Sequence, residues 1–110
     1  MKVNFNGFDE KVLTFKADST LTDVGQWVKI TSNGCVGKAD ANSVLVGNVV
    51  NIRNGYCGVM VSGTVTAKKS GTIALGYSHL VYTANGIAQN SAGREHLVLS
   101  VDDETVTFIL

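Results

Sequence analysis

The sequence predicts a small all-β protein, a single-domain barrel or sandwich of short antiparallel strands, and three observations support that class. The chain has 110 residues, which is the length of one domain and enough to bury a core without metal or disulfide bonds. It has 12 glycines and no proline, and four glycines follow asparagine, a pair that readily adopts the positive φ angles of tight hairpin turns. Short β-branched segments recur between these turns without a sustained helical apolar period.

Eight strands are predicted in order along the chain, each a β-branched or alternating segment bounded by turn residues. They cover residues 12–16, 26–31, 44–51, 56–62, 65–68, 79–83, 95–101 and 105–110. Alternation is clearest in residues 59–64 and 105–110, as expected of strands with one face in water. Residues 19–24 have room for one short 3₁₀ turn at most, because Gly25 ends the segment.

An internal repeat is visible at an offset of about 51 residues. Residues 24–25 correspond to 75–76, the Asn-Gly turn at 33–34 to that at 85–86, the apolar segment 44–46 to 97–99, and the turn at 53–55 to the acidic turn at 102–104. We therefore predict a β-barrel domain over residues 23–110 with two pseudo-symmetric halves, at about 23–72 and 74–110. Residues 1–22 are predicted to form an N-terminal arm or the first strands.

Candidate catalytic groups are sparse, and we predict a protein that is not an enzyme and uses no cofactor or metal. Residues 41–94 contain no Asp or Glu, so acid–base pairs and carboxylate-held metals would need carboxylates from elsewhere. The segment 76–80 lacks the second glycine of a nucleophile elbow, and 33–38 lacks the spacing of a phosphate-binding loop. The two histidines, His79 and His96, are expected at the surface or at a strand edge.

Charge and hydropathy argue against two further classes. Nine basic and nine acidic side chains give a net charge of zero, whereas phosphate affinity requires an excess of Lys and Arg, so no direct nucleic-acid binding is expected. No apolar stretch approaches the roughly 20 residues that span a bilayer, and the first residues lack the apolar region of an export signal. Cys35 and Cys57 are therefore expected as reduced, buried side chains, in preference to a disulfide between neighbouring strands.

Charge is nevertheless segregated along the chain. Residues 41–94 carry four cations and no acid, and the last 16 residues carry four acids and no cation. These stretches are expected either to be neighbours within the barrel or to pair between copies, and the second alternative suggests an oligomer. The acidic turn is predicted to be a solvated hairpin rather than a Ca²⁺ site. The candidate partner interface combines two aromatic residues, four cations and the acidic turn: Phe5, Phe8, Arg53, Lys68, Lys69, Arg94, Asp102, Asp103 and Glu104.

Aromatic residues support an alternative function. Trp27 is predicted to anchor the core, although Trp is also enriched at contact surfaces. Together with Tyr56, Tyr77 and Tyr82, it motivates the alternative of a small β module of a phage fibre or surface protein that binds a carbohydrate or another ligand.

Residues 46–65 carry a recognisable pattern. An aliphatic-Gly-aliphatic strand at 46–49 precedes the polar turn at 53–55, a Val-rich strand at 59–61 and a small-Gly-aliphatic step at 62–65. With Gly25-Gln26-Trp27-Val28 upstream and Leu75-Gly76 downstream, this pattern resembles small capsid decoration proteins of tailed bacteriophages and prophages over roughly residues 23–110. The resemblance implies a virion protein, made in the host cytoplasm, that binds the major capsid protein on the outside of the shell and stiffens it. It also implies a homo-oligomer, a trimer by analogy.

Overall fold

The computed structural model describes residues 11–110, which form eleven strands. These are β1 Lys11–Ala17, β2 Trp27–Ser32, β3 Cys35–Lys38, β4 Ser43–Val44, β5 Gly47–Arg53, β6 Tyr56–Ser62, β7 Thr64–Lys68, β8 Gly76–Thr83, β9 Gly86–Gln89, β10 Arg94–Val101 and β11 Thr105–Ile109. The predicted all-β class is confirmed. Residues 18–26 form turns rather than a 3₁₀ segment. Nowhere between residues 11 and 110 is there a helix with the length and hydrophobicity needed to cross a membrane.

The first sheet closes into a barrel in the order β1-β3-β2-β5-β6. Tight Asn-Gly turns join β2 to β3 and β5 to β6. In the second turn Asn54 and Gly55 have φ of 51° and 81°, the paired positive values of a hairpin that follows the natural strand twist. Strand β1 then seals the barrel, because it runs antiparallel to β6 and parallel to β3.

The second sheet has the order β4-β8-β10-β11-β7, and β9 lies off this path and pairs antiparallel with β8. Its strands pair as those of the barrel do, with β7 to β11 in the places of β1, β2, β3, β5 and β6. Val28 lies opposite Lys38 in the barrel, and Leu80 lies opposite Gln89 in the second sheet. We call β1–β3 with β5 and β6 the first unit, and β7–β11 the second unit.

The two units also share a bulge in their second hairpin. Strand register shifts just after Val49 in β5 and just after Val98 in β10, so these two valines are equivalent. Segment 97–99 therefore corresponds to the start of β5 and not to residues 44–46. Residue 44 belongs to β4, which pairs with β8 of the second unit. Since β1 and β7 open the units, each unit begins one strand earlier than the boundaries at 23 and 74 inferred from the sequence.

The core consists of two clusters. The smaller one fills the barrel of the first unit, with Val28, Val36 and Val59 fully buried. The larger one lies against the second sheet and takes in Trp27 from β2 of the first unit and Leu45 from the segment between β4 and β5. Trp27 is buried, as predicted, and its ring stacks on Phe108 with centroids 6.1 Å apart. The two units are therefore joined through a common core rather than tethered as separate domains.

Candidate functional site

The acidic turn between β10 and β11 lies beside two of the predicted cations. The backbone N–H of Lys69 donates to the carbonyl oxygen of Glu104 at 2.9 Å, and Lys68 lies opposite Thr105 in the sheet. Lys68 and Lys69 are therefore neighbours of the acidic turn within one chain, which is the first of the two alternatives for the segregated charges.

Asp102 organises that turn. Its carboxylate accepts hydrogen bonds from the backbone N–H groups of Glu104 and Thr105, at 2.8 and 2.7 Å, and from the Thr105 hydroxyl at 2.9 Å. These bonds, with a smaller contribution from Lys69, lower the pKa of the Asp102 carboxyl. All three acids of the turn are exposed. Among residues 11–110 no group of three His, Cys, Asp or Glu side chains is arranged to hold a metal ion.

The other predicted interface residues lie elsewhere. Arg94 begins β10, so it lies about 23 Å from the turn at the far end of that strand. Arg53 ends β5 in the first unit, opposite Tyr56, and Tyr56 in turn lies opposite Lys16. Phe5 and Phe8 are outside the described residues.

An apolar row lies on the outer face of the second sheet, where Tyr77 is exposed and the other two residues are half-buried. Tyr77 lies opposite Leu97, and Leu97 lies opposite Ile109. Directly opposed residues on neighbouring strands place their side chains on one face, and Val98 and Phe108, beside them in sequence, are buried. The row therefore faces away from the core, and Tyr77 is 70% exposed. We call these three residues the Tyr77 row.

A groove lies where the two units meet. It has a volume of about 500 Å³ and is lined from the first unit and the loops beside it by Asp18, Thr20, Lys29, Lys38 and Asp40, and from the second unit by Tyr82. A neighbouring cavity of about 380 Å³ shares Lys38 and Tyr82 and reaches Trp27. Because Tyr82 lines both cavities, we call the combined depression the Tyr82 groove.

One carboxylate of the groove is held in place by its surroundings. Asp18 accepts hydrogen bonds from the backbone N–H of Thr20, at 2.8 Å, and from the Thr20 hydroxyl. The same hydroxyl accepts a bond from the N–H of Lys38 at 2.9 Å. The bonds from Thr20, followed by the charge of Lys29, lower the pKa of the Asp18 carboxyl. A side chain on Gly37 would collide with this carboxylate, so the glycine allows Asp18 to lie against β3.

The remaining charges of the groove are one pair and one single cation. The ammonium of Lys29 forms an ion pair with the carboxylate of Asp40. No carboxylate of the described residues pairs with Lys38, which lines both cavities. The groove thus combines two carboxylates, two ammonium groups and one phenol ring, with a formal charge of zero.

The cysteines and histidines complete the comparison with prediction. Cys35 and Cys57 are free thiols on β3 and β6, and β1 runs between those strands. Cys57 is buried as expected, whereas the expectation of burial is wrong for Cys35, which is half-buried. Burial raises the pKa of the Cys57 thiol.

His79 is exposed, but the expectation of a surface position is wrong for His96, which is 2% exposed. Its ring packs edge-on against Phe108, with the ring centroids 5.6 Å apart.

Sequence reasoning missed the groove residues because they are spread over four segments that only the fold brings together. The internal repeat was a signal that could have identified two of them, because Lys29 and Lys38 are charged where the equivalent residues of the second unit are uncharged. No family model, curated protein or solved structure significantly matches this chain.

Proposed function

We propose that this chain is a structural protein of a bacteriophage virion that binds the outside of a capsid and stabilises the shell. The observation that carries the proposal is the Tyr77 row. Exposed apolar patches with polar rims are typical of protein interaction sites, and Tyr is enriched among residues that dominate binding energy. The pattern in residues 46–65 supports the same function.

The architecture suits such a role. A common core makes the two units one block, so contact at the Tyr77 row transmits load to both sheets. Each copy bound to the assembled shell and not to its free subunits would stabilise the shell by mass action. The proposed partner is the major capsid protein, and the proposed location is the capsid surface. Copies are proposed to act as a homo-oligomer, a trimer by analogy with the decoration proteins that the sequence resembles.

Co-sedimentation tests the proposal. Purified protein is mixed with heads assembled, without this chain, from the major capsid protein of a tailed bacteriophage. We expect the wild-type protein to pellet with the heads, and Tyr77→Ser with Leu97→Ser to abolish pelleting. Tyr56→Ser is the matched control, because Tyr56 is also exposed, at 56%, but lies in the first unit.

Absence of pelleting at every salt concentration would overturn the proposed function. Pelleting that survives the Tyr77 and Leu97 substitutions but is lost in Tyr56→Ser would move the contact to the first unit, and the Tyr77 row would no longer support the proposal.

A second candidate is the ligand-binding β module of a phage fibre or surface protein. The Tyr82 groove favours it, because concave sites lined by an aromatic ring and a few convergent polar groups are typical of ligand sites. Binding on a glycan array by a protein that ignores heads would favour this candidate over the first.

A further inference from the structure

We propose that the Tyr82 groove binds a neutral, hydroxyl-rich ligand, namely an oligosaccharide. This inference goes beyond attachment to a capsid. It rests on the second candidate function, for which it names the binding site and the class of ligand. Three observations support it: the size and lining of the groove, the fixed position of its carboxylate, and the residues at equivalent positions of the second unit.

The size and lining fit a sugar. Ligand sites have volumes of about 300 to 1,000 Å³, and the groove has about 500 Å³ before it continues into the neighbouring cavity. A sugar ring has an apolar face that packs on an aromatic ring, while its hydroxyl groups extend from the edge. Tyr82 offers the ring, and it is half-buried at the junction of the two sheets.

The polar groups match hydroxyl chemistry. Carboxylates accept hydrogen bonds from hydroxyl groups, and ammonium groups donate to them. Asp18 is fixed by Thr20 before any ligand arrives, which reduces the entropy lost on binding. Lys38 has no carboxylate partner among the described residues and is available as a donor. An anionic ligand would meet Asp18 and Asp40, and a cationic ligand would meet two lysines, so a neutral ligand fits this set best.

The fold does not require these charges. In the first unit Lys29 lies opposite Gly37, and the equivalent pair in the second unit is Val81 opposite Ala88. Lys38 corresponds to Gln89, whose side chain accepts a hydrogen bond from Ala74 within its own unit. The same strand pairing therefore forms with uncharged residues, and the charged set belongs to the groove.

A titration followed by ¹H–¹⁵N NMR tests the proposal on the full chain. The probes are neutral oligosaccharides built from glucose, galactose, mannose or N-acetylglucosamine, with inorganic phosphate and an acidic peptide as charged comparisons. We expect at least one neutral oligosaccharide to shift the amide signals of residues lining the groove, with a dissociation constant in the millimolar range or tighter. The charged probes are expected to leave those signals in place.

Two substitutions locate the binding. Tyr82→Leu keeps an apolar side chain but removes the ring, and Lys38→Gln introduces the residue of the second unit. Each is expected to weaken binding about tenfold, which is the effect of losing one good polar or stacking contact. Tyr77→Leu and Lys16→Gln are the matched controls, because neither side chain lines the Tyr82 groove, and both variants should bind as the wild type does.

Failure of every neutral oligosaccharide to shift groove signals would overturn the proposal. So would equal binding by Lys38→Gln and wild-type protein, or binding restricted to phosphate or the peptide. Should Tyr82→Leu lose its native spectrum, Lys38→Gln alone decides, because the Lys38 side chain is exposed. Co-sedimentation with heads is measured separately, so either result can fail without the other.

Discussion

The two units of this chain share one scheme of strand pairing but complete it differently. In the first unit β1 pairs with both β3 and β6, and the sheet closes around its own core. In the second unit the corresponding closure is a single bridge between Lys69 and Ile87. The second core is completed by Trp27 from the first unit and by Leu45 from the segment between β4 and β5. The pairing scheme is thus compatible with a self-contained core or a borrowed one, and the borrowed core makes the second unit dependent on the first.

The largest expected effect comes from breaking that dependence at Trp27. We expect Trp27→Ala to lower the free energy of unfolding by about 3–5 kcal/mol, because it removes a buried ring and leaves a cavity against Phe108. Urea unfolding measures the loss. Tyr77→Ala, at an exposed position, should change stability by no more than about 0.5 kcal/mol. A small loss in Trp27→Ala would mean that the second unit holds its core unaided.

The next largest effect on stability is expected at the equivalent turn glycines of the two units, Gly34 and Gly86. Gly86 has a φ of 131°, and a Cβ there would lie 2.6 Å from the Lys68 carbonyl oxygen. Gly34 has a φ of 68° with open space around it. We expect Gly86→Ala to cost about 3 kcal/mol because strain and a backbone clash combine, and Gly34→Ala to cost about 1 kcal/mol from strain alone. Equal losses in thermal unfolding would contradict the difference in closure.

Acid is expected to weaken the second unit first. The Nδ1 atom of His96 lies 3.0 Å from the Ile109 carbonyl oxygen, and its Nε2 atom is buried without a hydrogen-bond partner. Burial is the main cause that lowers the pKa of His96 from 6.5. The imidazole of His96 therefore binds a proton more readily in the unfolded chain than in the folded chain. This contribution to stability is complete above pH 6.5 and is lost as pH falls through the lowered pKa, at about 1.4 kcal/mol per unit of depression.

Amide hydrogen exchange at acidic and neutral pH measures this effect. Amides of Val98 and Phe108 should lose more protection in acid than those of Val28 and Val59 in the barrel. His96→Leu should flatten the pH dependence of unfolding, whereas His79→Gln, at an exposed position, should leave it unchanged. Uniform loss of protection across both units would show that His96 is not responsible.

The smallest effect is expected at the acidic turn. Asp102→Ala removes three hydrogen bonds from an exposed turn that the first unit builds with Asn54-Gly55 instead. We expect a small loss of stability at neutral pH, below that of Gly34→Ala. Because the pKa of Asp102 is lowered in the folded chain, its contribution is present above the ordinary carboxyl pKa and is lost as pH falls through the lowered one. Wild type and variant should therefore converge in acid, as thermal unfolding at several pH values will measure.

The fold was more predictable than the groove, for physical reasons. Asn-Gly steps act locally, so the turns and most strands followed from the sequence. Strands β3 and β9 have only four residues each, too few for alternation to stand out. The break between β4 and β5 falls within the valine-rich segment 44–50, because it is caused by the pairing of β4 with the distant strand β8. The residues of the groove, such as Asp18 and Tyr82, converge only through tertiary contacts, which no local pattern records.

Strand β4 has a consequence for how this chain matures on the ribosome. It lies between β3 and β5 in sequence but pairs with Tyr82 and Val81, which are synthesised about 40 residues later, or after several further seconds of translation. During that interval Leu45 and Trp27 have no second sheet to cover them. A nascent chain that stops near residue 62 would expose these two side chains to water as an apolar surface. We therefore expect ribosome-bound intermediates of that length to recruit chaperones, and release from them to coincide with the emergence of β8.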